Sequence, residues 1–173
     1  MGVKQKYLPE FVYGGIDGSI TTFAVVAGAI GASLSAGVVL ILGFANLFAD
    51  GFSMAISNYL STKAHMELHK NHKHKKEVKN PFKTGVATFV AFVTIGFIPL
   101  LSFVLALFIP SLETSKFTYS IILTALAFLF VGAVKGLIVK KSVPRSATET
   151  LIIGGIAAAL AYVVGYLLRG LAG

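Results

Sequence analysis

Asp17 and Asp50 are carboxylates set inside long apolar runs, and Asn46, Ser53, Met54, Ser57, Asn58 and Ser61 share the run that holds Asp50. Counted from Asn46, the others follow at spacings near i+4, i+7, i+8, i+11, i+12 and i+15. That pattern predicts one face of a helix, with Asn58 towards its margin. The chemistry such a stripe can do is coordination of a divalent cation. Carboxylates and amide carbonyls replace lost hydration oxygens, and a thioether favours softer transition metals over Mg²⁺ or Ca²⁺. The candidate metal ligands are therefore Asp17, Asp50, Met54, Asn46, Ser53 and Asn58. Serines on such a face also glue helices together by hydrogen bonds, and a methionine also fills gaps. The acids are different. No basic residue within the spans is placed to pair with them, and a carboxylate at membrane depth is a functional hypothesis by default.

The elements that must position these residues follow from composition. The chain has 173 residues, 55% of them hydrophobic, and a mean hydropathy of +0.82. A soluble domain of this size needs more polar surface, so the expected class is an all-α integral membrane protein with lipid as its solvent. A helix needs roughly 20 apolar residues to cross the hydrocarbon core. Five segments qualify within a single transmembrane domain, at about 11–33, 37–60, 83–109, 117–139 and 147–169. Gly31, Ser33, Ser35 and Gly37 make the first two a tight antiparallel hairpin. Pro99 predicts a kink in the third. The apolar stretch after Lys4 and Lys6 is too long and too interrupted for a signal peptide and reads as a retained helix.

Charge then gives an orientation. With the N-terminus in the cytosol, thirteen of the fifteen Lys and Arg residues lie inside, and only Lys116 and Arg169 lie outside. Topology thus accounts for the net charge of +8, and no nucleic-acid partner is implied. On this arrangement Asp17 is about 10 Å deep and Asp50 about 15 Å deep from the inner surface. They reach similar depths on antiparallel helices, which predicts a shared site.

The polar connection at about 62–82 holds seven lysines counted through Lys83, and all four histidines. If the second helix continues into the cytosol, His65, His69 and His72 stand at i, i+4 and i+7 on one face, a spacing suited to Zn²⁺ or Fe²⁺. The lysines oppose cation capture and favour anionic lipid headgroups. Elsewhere, Ser146 and Glu149 read as a capping box opening the fifth helix. Lys135 can snorkel, and Glu10 is interfacial, where it could help admit cations. Cysteine is absent, which excludes disulfides, thiolate sites and thiol catalysis. With no His or Cys in any span, no enzyme constellation is expected.

The run Gly14-Gly15-Ile16-Asp17-Gly18-Ser19-Ile20-Thr21-Thr22-Phe23-Ala24-Val25-Val26-Ala27-Gly28 resembles the first-helix signature of the vacuolar iron transporter family. Ala45-Asn46-Leu47-Phe48-Ala49-Asp50-Gly51-Phe52-Ser53-Met54-Ala55, then Asn58-Tyr59-Leu60-Ser61, is similar to its second-helix motif. A weaker third match lies in Gly132-Ala133-Val134-Lys135-Gly136 and from Arg145-Ser146 to Gly154-Gly155. The resemblance implies a five-helix homodimer with the ion path at the subunit interface, exporting Fe²⁺ and often Mn²⁺ from the cytosol in exchange for protons. It matches Asp17 to the family's first-helix acid and Met54 to its second-helix methionine. Where many plant and yeast members have glycine, this chain has Asn46 and Asp50. Where they have glutamate before the aromatic, it has Asn58. It is a short form, without the glutamate-rich cytosolic domain of plant-type members. The expected function is transition-metal transport with no resident cofactor. The expected membrane is the cell membrane in a prokaryote, or a vacuolar-type membrane in a eukaryote. The rival reading is a non-transporting scaffold or regulatory subunit.

Overall fold

The computed structural model describes residues 6–69 and 79–171. Every regular element in those residues is helical: α1 (Leu8–Gly31), α2 (Ala36–His69), α3 (Pro81–Gly96), α4 (Ile98–Ala106), α5 (Lys116–Val139) and α6 (Val143–Leu168), with short 3₁₀ turns at Pro110–Leu112 and Arg169–Leu171. α1, α2, α5 and α6 are each long and apolar enough to cross a bilayer, and the bent pair α3–α4 makes a fifth crossing when taken as one span. The protein is an all-α integral membrane protein. In hydrocarbon only intrahelical bonding can satisfy the whole backbone of a lone segment, so this architecture follows from the apolar runs themselves.

Local chemistry sets the helix ends. Pro9, Pro81 and Pro144 lie in the first turns of α1, α3 and α6, where the missing N–H costs nothing. Asn80 caps α3, its side-chain oxygen accepting from the Lys83 N–H at 3.1 Å. α1 stops in a tight reversal: Ser33 takes a left-handed φ of 60°, and the Leu34 N–H donates to the Ala29 carbonyl at 2.9 Å. Ser35 then receives the Val38 N–H at 3.4 Å to open α2. α2 has 34 residues and is about 51 Å long. That length exceeds the roughly 30 Å hydrocarbon core, so one end must project beyond it.

Between α3 and α4 the axis turns by 46°. Pro99 lies one residue into α4 and lacks the N–H that would carry the ladder through. The bend is tied to its neighbour, because the buried Ser120 hydroxyl of α5 donates to the Pro99 carbonyl at 2.6 Å.

α6 begins earlier than the sequence reading placed it, and this corrects the expected capping box. Ser142 occupies the cap position without a side-chain bond. Ser146 is a buried residue inside the helix. Glu149 instead pairs with Lys135 across the α5–α6 seam at 3.2 Å. Pro144 sets the helical φ one turn ahead of the apparent Ser–Glu signature, so that signature starts nothing.

α1 is the central helix and touches all the others. In its span 56% of the residues are buried, against 11% for α6. Glycines permit this. A Cβ on Gly18 would fall against the Phe92 carbonyl of α3 and 2.9 Å from the Phe92 Cα. On the other side a Cβ on Gly31 would meet the α6 backbone at Tyr162, and one on Gly165 would meet the Gly28 carbonyl. The core beside them holds Phe23, Val26, Leu47, Met54, Phe92, Leu100 and Phe128, with the Phe23 and Phe128 rings edge-on at 6.4 Å. The outward residues of α6, such as Ile152, Ile156, Leu160 and Val163, are exposed and apolar, as a lipid-facing surface requires. Gly18→Leu should force α1 off α3 and cost about 1–3 kcal/mol, seen as a lower Tm in detergent. Gly155→Ala should not, since nothing lies within 4 Å of its added Cβ.

Candidate metal site

α1 and α2 run antiparallel from the Ser33 reversal, which brings Asp17 beside Asp50. Both side chains are half-buried, and the two carboxylates act on each other electrostatically. Neither takes part in the ion pairs found among the described residues. Around them the polar groups interlock. The Asn46 amide nitrogen lies 3.4 Å from the hydroxyls of both Thr21 and Thr22. Thr21 in turn donates to the Asp17 carbonyl at 2.9 Å. With its nitrogen turned to the threonines, Asn46 has its side-chain oxygen available as an acceptor. Met54 is one turn along α2 from Asp50, 8% exposed and packed in the apolar core.

The structure thus gathers Asp17, Asp50, Asn46 and Thr21 at the α1–α2 crossing, with Met54 at its edge. It separates the rest of the anticipated stripe. The Asn58 amide donates to the Thr88 hydroxyl of α3 at 2.7 Å, so this residue ties α2 to α3. Ser53, Ser57 and Ser61 are exposed on the outer surface of the subunit. The single expected face therefore resolves into two: a row turned to α1 and the core, and a row turned outward. Sequence periodicity averages over a wide arc, whereas each neighbouring helix covers only part of it.

Of the histidines, His65 is an exposed residue of α2 and His69 is its last residue, while His72 lies outside the described residues. Among the described residues no group of three or more His, Asp or Glu could hold a metal ion. What the crossing offers is two carboxylates and an amide oxygen.

The sequence reading missed the partners of the acids at the margins. Thr21 and Thr22 appeared there only within the first-helix signature, although a threonine one turn from a half-buried acid is itself a signal. Glu10 is held by Lys79 at 2.6 Å, its side chain 11% exposed. Its second oxygen is buried without a hydrogen bond among the described residues. Glu10 stands seven residues before Asp17 and shares its face of α1. Lys79 lies 69 positions away in the chain, beyond the reach of any local pattern.

The chain is similar to the vacuolar iron transporter of Toxoplasma gondii, 27% identical over 227 aligned positions that include 95% of this chain and 75% of that protein. It is similar to the vacuolar iron transporter of Plasmodium berghei at 26% identity, with 95% and 83% covered. Because both alignments run longer than the 173-residue chain, those relatives carry inserted length and this chain is a short form. Vacuolar iron transporter homolog 4 of Arabidopsis thaliana aligns more compactly, 27% identical over 169 positions, covering 92% of this chain and 82% of that protein. The sequence profile of the VIT family matches residues 8–79 and 63–166, which include the α1–α2 crossing and both its acids. The chain belongs to the VIT family.

Proposed function

We propose that the protein carries a divalent transition metal, Fe²⁺ or Mn²⁺, out of the cytosol in exchange for protons. The observation that carries this reading is the Asp17–Asp50 pair, two carboxylates within electrostatic reach of each other at the crossing of two spans. Bringing two anions together out of water is costly. A divalent cation relieves that cost, and so do protons. Exchange of one for the other follows, since metal can leave the low-dielectric site most readily as protons arrive. Asn46 adds an oxygen donor, and the Met54 thioether tilts the site towards softer metals. The relatives are named vacuolar iron transporters, which supports iron as one cargo.

The rest of the coordination shell comes from a second copy of the chain. Ala45, Ala49, Ser53, Ser57 and Ser61 follow one another at four-residue spacing on α2, and all are exposed in the single subunit. Small residues at that spacing let helix backbones approach closely in a membrane. Pairing α2 with its symmetry mate along this row would double the carboxylates facing one path. The N-terminus and the projecting end of α2 lie in the cytosol. Both residues of the positive-outside minority are partnered at the opposite end, Lys116 with Glu113 and Arg169 with the Tyr166 ring, 4.3 Å away. The membrane is the cell membrane in a prokaryotic host and a vacuolar-type membrane in a eukaryotic one.

In proteoliposomes with an acidic lumen, the parent protein should accumulate Fe²⁺, and Asp17→Ala or Asp50→Asn should slow uptake at least about tenfold. Parent-like flux in either variant would end the carboxylate scheme, and absence of flux in the parent would favour a scaffold. Met54→Leu should retain transport but lower the preference for Fe²⁺ over Mg²⁺ several-fold, as read by competition. Since the native chain has no cysteine, Ser57→Cys provides one thiol per subunit. Oxidation in membranes should yield a covalent dimer, whereas a monomer band alone would place the interface elsewhere.

A further inference from the structure

On the side of α2 away from the acids, α2 and α3 enclose a cavity of about 350 Å³ open to the molecular surface. Phe52, Ile56 and Tyr59 form one wall, and Phe82, Val86 and Phe89 form the other. Gly85 sets its floor: a Cβ there would meet the Ala55 carbonyl at 2.9 Å and the Tyr59 Cβ at 3.4 Å. Its position on α2 decides what can fill it. Tyr59 lies nine residues beyond Asp50, roughly half a turn around the helix. The groove therefore opens on the side of α2 opposite the acids, where Phe52, Ile56, Phe82 and Val86 are exposed and apolar, as lipid-facing side chains are.

Its mouth is basic. Lys63 lies one turn beyond Tyr59 on α2, and Lys83 follows Phe82 on α3; both are exposed. Among the described residues neither is in an ion pair, whereas the nearby Lys79 is neutralised by Glu10. The α2 wall of the groove ends at Tyr59, and from Phe52 on to Lys63 the helix rises about 16 Å, close to the roughly 15 Å depth of one leaflet's hydrocarbon. An apolar slot one leaflet deep, ending in two cations, has the form of a phospholipid with a negative headgroup.

We infer that this groove is a binding site for one anionic phospholipid, its acyl chain between α2 and α3 and its phosphate held by Lys63 and Lys83. The lipid comes from the leaflet on the basic side of the membrane. Behind the groove lies the Asn58–Thr88 bond that joins the same two helices. A bound lipid clamps that seam from outside and so steadies α2, the helix that carries Asp50 and Met54.

The test uses the purified full-length chain in neutral detergent, titrated with phosphatidylglycerol or with phosphatidylcholine of the same acyl chains. Phosphatidylglycerol should raise Tm by roughly 4 °C and remain bound in native mass spectra, and phosphatidylcholine should do neither. Glycerol phosphate, the headgroup without its chains, should also be without effect. In the double variant Lys63→Gln/Lys83→Gln, most of the phosphatidylglycerol increment should vanish while the lipid-free Tm stays near that of the parent. Equal effects of the two lipids, or a full increment in the double variant, would overturn the assignment. So would subunit cross-linking through Phe82→Cys on the α3 wall, which would give the groove to a second copy. Because lipid binding is read without metal, failure of the transport reading leaves this result standing, and the reverse also holds.

Discussion

The rest of the structure depends on the closeness of α1 to its neighbours. A carboxylate inside hydrocarbon needs polar company, and a helix surrounded by other helices is where that company can be arranged. Gly14 and Gly18 let α3 approach until backbone meets backbone, and Gly31 with Gly165 does the same for α6. In lipid the gain from such an approach is van der Waals contact and hydrogen bonding, because the tails outside are as apolar as any side chain. The glycines are therefore the means by which α1 becomes central. Asp17 rides on the helix they bury. Its flanking residues Gly18 and Ser19 are buried, while Asp17 itself points to the less crowded α2 side.

A second constraint follows from the α3–α4 bend. Pro99 interrupts a span, and the bend is closed by Ser120 on α5 and by Leu100, which packs fully buried against the core. Gly43 of α2 faces the same Leu100 side chain. The kink thus turns α4, the C-terminal half of the third span, onto α5, while its N-terminal half, α3, lies along both α1 and α2. One broken helix braces both members of the α1–α2 hairpin, so the spacing between Asp17 and Asp50 is set by a framework on three sides.

The helical spans were legible in the sequence because they depend on apolar length, and the level of the two acids along the α1–α2 hairpin because it depends on rise per residue, both of which local pattern encodes. The kink at Pro99 was legible for the same reason. What could not be read was direction within a helical arc. Asn58 lies on the predicted stripe by spacing, yet its amide reaches Thr88, and only the position of α3 decides that. Ser53 and Ser57 turn outward although they neighbour Met54, which turns in. The Ser146–Glu149 signature failed where Pro144 supplied a stronger start. Long-range pairs such as Glu10–Lys79 carry no local trace.

These directions bear on how the chain differs from the plant and yeast members it resembles. An acid at residue 58 instead of residue 50 would lie eight positions further along α2, about 12 Å away and some 80° around the helix. In this fold that position addresses α3, where Asn58 already satisfies Thr88. An acid there would reverse that bond, accepting from the Thr88 hydroxyl in place of the amide donation, and would place its charge against α3. At residue 50 the acid lies within electrostatic reach of Asp17, with Asn46 one turn to one side and Met54 one turn to the other. Moving the carboxylate is thus coupled to moving the whole donor set. On the proposed carrier reading, the pair of acids is the fixed point, and Asn46 and Met54 are the positions through which a preference for one metal would be adjusted.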